Sequence, residues 1–177
     1  MDAHVREMTT GDIDAVSEIR VRGWQFAYRG LMPQGHLDAL DVEEDAAARR
    51  KFWAGRPPGV AALVAERGGR IVGFSGFGPT RDDDQDAGAF QVYAIYVHPE
   101  QIGTGAGRAL MDATLDRCRT AGAPSVCLWV LTHNERARRF YERAGFTADG
   151  NTATEDVDGV PVPEVRYVRR LHGSGAP

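Results

Sequence analysis

The chain has 177 residues, of which 42% are hydrophobic and 26% charged, and its formal net charge at pH 7 is −4. This length suits one domain with a substantial core, and the composition is ordinary for a soluble globular protein. The acidic balance argues against general attraction to nucleic acid or anionic membranes, and no apolar run approaches the roughly 20 residues of a membrane span.

Two further features of the composition predict the compartment. Cys118 and Cys127 are too few for a disulfide framework, and their spacing matches no metal-binding pattern. The first residues lack the apolar core of a signal peptide. We therefore expect a cytoplasmic protein without a metal site.

The first third of the chain predicts one strand followed by helices. Residues 4–8 have a short strand pattern, and residues 9–12 offer hydroxyl and carboxylate caps for a following helix. Apolar residues then recur at spacings of three and four, as a half-buried helix requires. Trp24 is interpreted as a packing anchor, because large aromatic side chains are mostly buried. A second helical stretch is predicted over residues 33–53.

The middle of the chain predicts strands. Residues 60–66 and 70–77 are two β runs, and the Arg-Gly-Gly sequence at 67–69 indicates a hairpin between them. The acidic run at 81–86 is interpreted as a solvated loop tip. If it folded over an acceptor site, it would instead favour cationic substrates. Residues 90–97 form the fourth predicted strand.

After a glycine-rich loop, the pattern alternates between helix and strand before a closing strand pair. The run at 125–131 is continuously apolar, so both of its faces should be covered. The final residues, 173–177, are predicted to be a disordered tail. The predicted elements are a helix at 108–118, a strand at 125–131, a helix at 134–144, and strands at 146–155 and 163–172.

The glycine-rich loop, residues 101–108, is the strongest candidate for a binding site. Its glycines at 103, 105 and 107 leave the main chain nearly free of Cβ atoms, so a ligand can approach closely. The first amides of the following helix lack intrahelical partners, and the helix dipole adds partial positive charge there. This order of strand, loop and helix predicts phosphate binding.

The spacing excludes two nucleotide-binding motifs. Counted from Gly103, the last glycine of a dinucleotide fingerprint would fall on Arg108. A P-loop needs a lysine after its glycines, and the only lysine in the chain is Lys51.

What remains resembles the acyl-coenzyme A loop of the GNAT acetyltransferase superfamily. Residues 97–99, Val-His-Pro, match the Val-x-Pro strand end of that family, and Gly105 and Gly107 match its loop glycines. One departure is Ile102, which stands where the family has Gln or Arg. The substitution removes one polar side chain from the loop.

A second segment strengthens the resemblance. Asn134 and Tyr141 lie seven residues apart, close to two helical turns, so their side chains point the same way. Together with Ala137, Gly145 and Phe146, they resemble the second coenzyme A segment of GNAT enzymes. Taken alone, this segment would be an Asn cap and a core tyrosine.

The resemblance implies a fold and an activity. The fold is α/β (α+β), a single domain over residues 1–172, with a mixed, splayed central sheet of about seven strands and helices on both faces. Coenzyme A would insert where strands four and five diverge. The activity is transfer of an acetyl group from acetyl-CoA to a primary amine of a small molecule by direct attack. Neither nucleic acid nor membrane is an expected partner, and the chain would be a monomer or homodimer.

The resemblance also assigns roles to residues. Tyr141 would be the general acid, and Gln91 occupies the strand position where many relatives have a Glu base. An amide can position an amine or a water but cannot accept a proton at neutral pH. Tyr28 and Tyr93 would contact the acceptor. The residues expected to bind the cofactor are Ile95, Tyr96, Val97, Gly103, Thr104, Gly105, Ala106, Gly107, Arg108 and Asn134.

Several alternatives stay open at this point. The base could be Glu66, Tyr93, His98 or a chain of waters, and a route through either cysteine would replace direct attack. The chain could also be a weak or inactive acyl-CoA-binding module, or it could act on a protein or peptide amine. The arginines at 136, 138, 139 and 143 form a basic strip, which we interpret as solvated or as meeting the 3′-phosphate of coenzyme A rather than nucleic acid.

Overall fold

One seven-stranded sheet forms the centre of the computed structural model, which describes residues 2–171. The strand order is β1-β2-β3-β4-β5-β7-β6. The tail predicted at 173–177 lies outside the described residues. The strands are β1 His4–Glu7, β2 Ala61–Arg67, β3 Arg70–Pro79, β4 Phe90–Val97, β5 Ser125–Leu131, β6 Thr147–Val157 and β7 Val160–Arg170, and the helices are α1 Ile13–Ala27, α2 Gln34–Asp38, α3 Val42–Ala54, α4 Ala106–Thr120 and α5 Glu135–Arg143.

The helices cover both faces of this sheet because successive strand residues point to opposite sides. On β2, Leu63 belongs to a core cluster with Leu110 of α4, whereas its neighbour Val64 packs in a cluster with Ile13 and Val16 of α1. A third cluster places Leu37 of α2 against the ends of β5, β6 and β7. The predicted mixed sheet of seven strands with helices on both faces is confirmed.

The sheet is splayed between β4 and β5. These two strands are the parallel pair, and their pairing is confined to Phe90 with Val126 and Gln91 with Cys127. Every other neighbouring pair in the described sheet is antiparallel, and four or more residue pairs join each. Beyond Gln91, the edge of β4 that faces β5 therefore has no strand partner in residues 2–171. This opening leaves main-chain donors and acceptors available to a ligand.

Two predicted helix boundaries were wrong for local reasons. The stretch predicted as one helix from residue 33 to 53 is divided into α2 and α3, because Asp41 caps α3 by accepting the Glu44 N–H at 2.9 Å. Helix α4 begins at Ala106, two residues earlier than expected. Gly105 precedes it with φ near 90°, a left-handed conformation that glycine adopts without strain.

Candidate active site

A cleft of about 640 Å³ occupies the opening between β4 and β5. The C-terminal end of α1 and the glycine loop form two of its sides, and α5 forms a third. Glu164 adds a residue from β7. The predicted site residues that line this cleft are Tyr28, Tyr93, Ile95, Tyr96, Val97, Gly103, Gly105, Gly107, Arg108, Asn134 and Tyr141.

The glycine loop is held in place from behind by an arginine on β2. Arg67 donates to the Gln101 side-chain oxygen at 2.7 Å and to the Thr104 carbonyl at 3.0 Å. The Thr104 hydroxyl in turn donates to the Gln101 carbonyl at 2.6 Å. Gly103 and Gly105 have φ of 78° and 90°, and a Cβ added at either would meet no atom within 4 Å. The loop is therefore fixed in shape while the space in front of its glycines stays open.

Arginines of α4 and α5 line the cleft. Gly107 and Arg108 stand in the first turn of α4, and both line the cleft, whereas Thr104 and Ala106 do not. Arg136, Arg139 and Arg143 of α5 also line it. Arg138 of the basic strip points elsewhere, because it donates to the Tyr167 hydroxyl at 3.0 Å and to the Thr132 carbonyl at 2.9 Å.

Helix α5 presents the second sequence motif to the cleft. Asn134 caps this helix, its side-chain oxygen accepting the Ala137 N–H at 3.2 Å. Two turns later the Tyr141 ring packs edge-on against Phe140 and Phe146. No hydrogen bond to its hydroxyl is found within the described residues. Burial, and to a lesser extent the neighbouring Tyr96, raises the pKa of Tyr141 well above its ordinary value.

Two tyrosines meet across the cleft between α1 and β4. The hydroxyls of Tyr28 and Tyr96 lie 2.9 Å apart. This contact depends on Gly23, where an added Cβ would come within 3.2 Å of the Tyr96 ring. Burial is the main cause that raises the pKa of both phenols. Both hydroxyls therefore stay neutral and able to donate at physiological pH.

Gln91 and Tyr93 on β4 are held by the loop that precedes the strand. Gln91 is buried, and its side-chain oxygen accepts the Arg81 N–H at 3.0 Å. It does not line the cleft. Tyr93 does line it, but its hydroxyl donates to the Pro79 carbonyl and its ring lies 4.0 Å under the Arg81 guanidinium. Gln91 therefore does not face the cleft, and its predicted role in positioning an acceptor has no support in the described residues.

The other bases considered from the sequence lie outside the cleft, apart from Tyr93. Glu66 pairs with Arg6 at 3.2 Å, and His98 accepts the Glu100 N–H at 3.3 Å. Both cysteines are buried and neither lines the cleft. Burial raises the pKa of Cys118 to about 12, so its thiol is inert at neutral pH.

The acidic loop lies away from the cleft, and three of its four carboxylates are bound by arginines. Asp82 and Asp84 bind the buried Arg166 at 3.1 and 2.6 Å, and Asp86 binds Arg170 at 3.3 Å. Trp129 also donates to Asp82 at 3.0 Å. None of the residues at 81–86 lines the cleft. The loop is mostly exposed, as expected of a solvated tip, although arginines of β7 bind three of its carboxylates, and it is not a wall that would favour cationic acceptors.

Two functional classes find no support in the described residues. No helix within residues 2–171 is long and apolar enough to cross a membrane. Over the same residues, no three His, Cys, Asp or Glu side chains are grouped so that they could hold a metal ion.

Comparison with known proteins identifies the family. Residues 22–146 match the model of the acetyltransferase (GNAT) family. A probable N-acetyltransferase of Mycobacterium tuberculosis is 30% identical over 94% of this chain and 91% of its own length. The structure of YncA from Salmonella typhimurium with its cofactor acetyl-CoA has a TM-score of 0.73 and 21% identity, over 100% of this chain and 98% of that one.

A second solved structure has the same fold. The PaiA N-acetyltransferase of Thermoplasma acidophilum, in complex with coenzyme A, has a TM-score of 0.71 and 17% identity, over 96% of this chain and 99% of that one. The family match covers both motifs that the sequence singled out, the glycine loop and the Asn134 to Tyr141 segment. The chain therefore belongs to the acetyltransferase (GNAT) family and is an acetyl-CoA-dependent N-acetyltransferase.

Proposed function

We propose that this enzyme transfers the acetyl group to a primary amine of a small molecule, by direct attack of the amine on acetyl-CoA bound between β4 and β5. The observation that carries the proposal is the open β4 edge, which runs from the paired Gln91 to the glycine loop along one wall of a single cleft. Tyr141 lines the same cleft from α5.

The cleft offers a distinct group for each part of acetyl-CoA. Main-chain groups of residues 95–97 would pair with the pantetheine arm, as an added strand would. The amides of the glycine loop and the first turn of α4 would hold the diphosphate. Arginines of α5 would meet the 3′-phosphate, and Asn134 would add a hydrogen bond. The apolar Ile102 lines the cleft without adding a polar contact to the phosphates.

Tyr141 is proposed as the proton donor to the leaving thiolate. Its raised pKa keeps the phenol protonated at neutral pH. The pKa of a thiol is ordinarily about 8.5, which is below that of this phenol. Complete proton transfer from the phenol to the thiolate is therefore unfavourable. Tyr141 would therefore act first as a hydrogen-bond donor, and its help grows as negative charge develops on sulfur.

Helix α2 packs against the turn between β6 and β7, next to residues that line the cleft. His36 of α2 lies 3.1 Å from Asp158, which stands in the turn between β6 and β7. The α2 core cluster packs under the same region, with Leu37 and Leu131 both buried. Leu131 and the half-buried Tyr28, which belong to this cluster, line the cleft, so α2 supports the wall against which a small acceptor would lie.

The proposal is tested by measuring thiol release from acetyl-CoA with a panel of amines. The panel contains aminoglycosides, polyamines, amino acids and unstructured peptides, with a reaction lacking acceptor as background. We expect release above background with at least one small primary amine. Release with peptides alone would replace the small-molecule acceptor by a peptide. Acetyl-CoA binding by calorimetry with no release for any amine would identify a binding module instead.

Replacing Gly105 by Val is expected to weaken acetyl-CoA binding by at least about tenfold, or about 1.4 kcal/mol. The φ of 90° strains any residue with a Cβ, and the new side chain would occupy the open space in front of the loop. Isothermal titration calorimetry measures the dissociation constant. Gly150 has φ of 88° and similarly open space, but lies on β6 away from the cleft, so Gly150→Val is the matched control.

The control separates strain from binding. Both variants should lose similar stability, about 1–2 kcal/mol, because both force a side chain into a left-handed backbone. Only the change at Gly105 should alter acetyl-CoA affinity. Equal affinity in the two variants would mean that the diphosphate does not lie against Gly105.

We propose one domain over residues 1–172 acting in the cytoplasm. The two free thiols support a reducing compartment. Strand β6 is one edge of the sheet and its residues are almost all exposed, so we propose this edge as the interface of a homodimer. Light scattering of the purified protein decides between monomer and homodimer.

A further inference from the structure

We propose that Glu164 on β7 is the general base of the reaction, and that its carboxylate receives the ammonium group of the acceptor and removes a proton from it. This inference rests on the proposed function and names the group that the sequence left unassigned.

The position of Glu164 follows from the alternation of side chains along β7. Val162 and Arg166, two residues to either side, are buried on one face of the sheet. Val165 and Tyr167 pack into the core cluster of α4 on the other face. Glu164 shares the face of Val162, beside the α2 cluster, and pairs in register with Leu131 at the end of β5. Its side chain lines the cleft where β5 has diverged from β4.

Glu164 differs from the other charged residues of the cleft in the sign of its charge. Of the described residues that line the cleft, Glu164 is the one acidic residue, whereas four arginines line it from α4 and α5. Glu164 is half-buried, and no hydrogen bond or ion pair to its side chain occurs within residues 2–171. Other carboxylates near β7, such as Asp82 and Asp149, are bound to Arg166. A half-buried carboxylate without a partner is suited to take a cationic group from the substrate.

Glu164 and Tyr141 lie near the same pair of phenols. The Glu164 carboxylate adds to burial in raising the pKa of Tyr28, whose hydroxyl lies 2.9 Å from that of Tyr96, and Tyr141 lines the same cleft. Glu164 also acts on Tyr96. The tyrosine pair therefore stands within electrostatic reach of the proposed base and the proposed acid. An acceptor beside this pair would have a carboxylate for its ammonium and a thioester within the same cleft.

The surroundings of Glu164 make it a better base than a solvated glutamate. Burial, and then the like charge of Glu155 on β6, raises its pKa. The groups that face it from α1 and β4 are the neutral phenols of Tyr28 and Tyr96. On its own strand, Arg166 is bound by Asp82, Asp84 and Asp149. A raised carboxyl pKa lies closer to the pKa of the ammonium group that gives up the proton. This favours general-base catalysis.

Every proton transferred in this reaction has a donor and an acceptor among the enzyme, the substrates and solvent. The acceptor arrives as an ammonium ion and gives one proton to the Glu164 carboxylate, which later releases it to solvent. The freed lone pair attacks the acetyl carbon, so that a nitrogen–carbon bond forms and the carbon–sulfur bond breaks. The departing thiolate takes a proton from Tyr141, and the second proton lost by nitrogen restores the phenol. The products are an amide, a thiol and one released proton.

The test compares Glu164→Gln with Glu155→Gln by the pH dependence of kcat/KM, using the panel amine that wild type acetylates fastest. We expect Glu164→Gln to lower kcat/KM by about 10²- to 10⁴-fold and to remove the acid limb that the wild type shows, with acetyl-CoA affinity unchanged. Glu155 does not line the cleft. Its neutralisation should keep the plateau rate and move the acid limb to lower pH, because the pKa of Glu164 falls.

Other outcomes overturn the inference. A wild-type plateau in Glu164→Gln removes the base role, and so does a lower plateau with an unchanged acid limb, which would mark a structural role. If no amine is acetylated, the proposed function itself fails. The pKa of the Glu164 carboxyl group is then measured directly by a carboxyl-carbon NMR titration. Its resonance, assigned by its loss in Glu164→Gln, should titrate above the ordinary range and move down in Glu155→Gln. A Glu164 pKa in the ordinary range that does not change in Glu155→Gln would refute the inference.

Discussion

Replacing Tyr141 by Phe is expected to lower kcat by about 10²- to 10⁴-fold, the usual contribution of a positioned proton donor. The change removes one hydroxyl that has no hydrogen-bond partner within residues 2–171, so folding should lose little. The ring keeps its edge-on contacts with Phe140 and Phe146. The dissociation constant of acetyl-CoA, measured by calorimetry, should stay within about twofold, because ground-state contacts to the cofactor are unchanged.

Tyr167→Phe is the matched control for this prediction. Tyr167 is a neighbouring phenol, with its ring centroid 6.4 Å from that of Tyr141, but it does not line the cleft. Its hydroxyl accepts from Arg138 at 3.0 Å and donates to Glu142 at 2.8 Å. The control should lose about 0.5–2 kcal/mol of stability and keep kcat. A Tyr141→Phe enzyme with wild-type kcat would deny Tyr141 its role as proton donor.

The parts of the fold that could be predicted from sequence are those that local chemistry specifies. Strands β4 and β5 have the predicted boundaries, 90–97 and 125–131, because apolar runs are bounded there by turn residues. The turn at 67–69 formed as expected, since Gly68 and Gly69 both have positive φ. The signal that divides α2 from α3 was also present. Asp41 lies three residues before Glu44, a spacing typical of a helix N-terminus.

The parts that could not be predicted depend on residues far apart in the chain. Glu164 enters the cleft only because β7 lies beside β5, and its register with Leu131 cannot be read from either segment alone. The pairing of the exposed acidic loop with a cation was not predicted, because that cation, Arg166, is 84 residues beyond Asp82. Gln91 occupies the expected strand position, but its orientation depends on the Arg81 N–H of the preceding loop. Long-range pairing decided the first two cases, and a contact with the preceding loop decided the third.

Replacing the buried Arg166 is expected to have the second large effect, a loss of stability. Its side chain is 4% exposed and binds three carboxylates, Asp82 at 3.1 Å, Asp84 at 2.6 Å and Asp149 at 2.7 Å. Replacing it by Met keeps much of the volume but leaves those carboxylates without their cation. Breaking a fully buried pair costs about 3–5 kcal/mol. Because the carboxylates here retain some exposure to water, we expect Arg166→Met to lower the free energy of unfolding by about 2–3 kcal/mol.

Urea denaturation and thermal melting measure this loss, and Arg170→Met is the control. For a chain of this size, 2–3 kcal/mol corresponds to a fall in Tm of about 4–12 °C. Arg170 binds Asp86 at 3.3 Å, but its side chain is 76% exposed. An exposed pair is worth about 0–1 kcal/mol, so the control should melt close to wild type. Equal losses of stability in the two variants would mean that the buried Arg166 pairs contribute no more to the free energy of unfolding than an exposed pair.

The pH dependence of the same variant gives an independent check on the cause. The Arg166 guanidinium lowers the pKa of Asp84. Burial alone would raise the pKa of Asp149, but hydrogen bonds from Asn151 and Arg166 outweigh it and lower that pKa. A carboxyl whose folded pKa is depressed stabilises the fold above its unfolded pKa of about 3.9, and this stability is lost as the pH falls through the folded value. The difference between wild type and Arg166→Met should therefore be largest near neutral pH and shrink below about pH 4. A difference that stayed constant over this range would point to lost packing rather than lost charge.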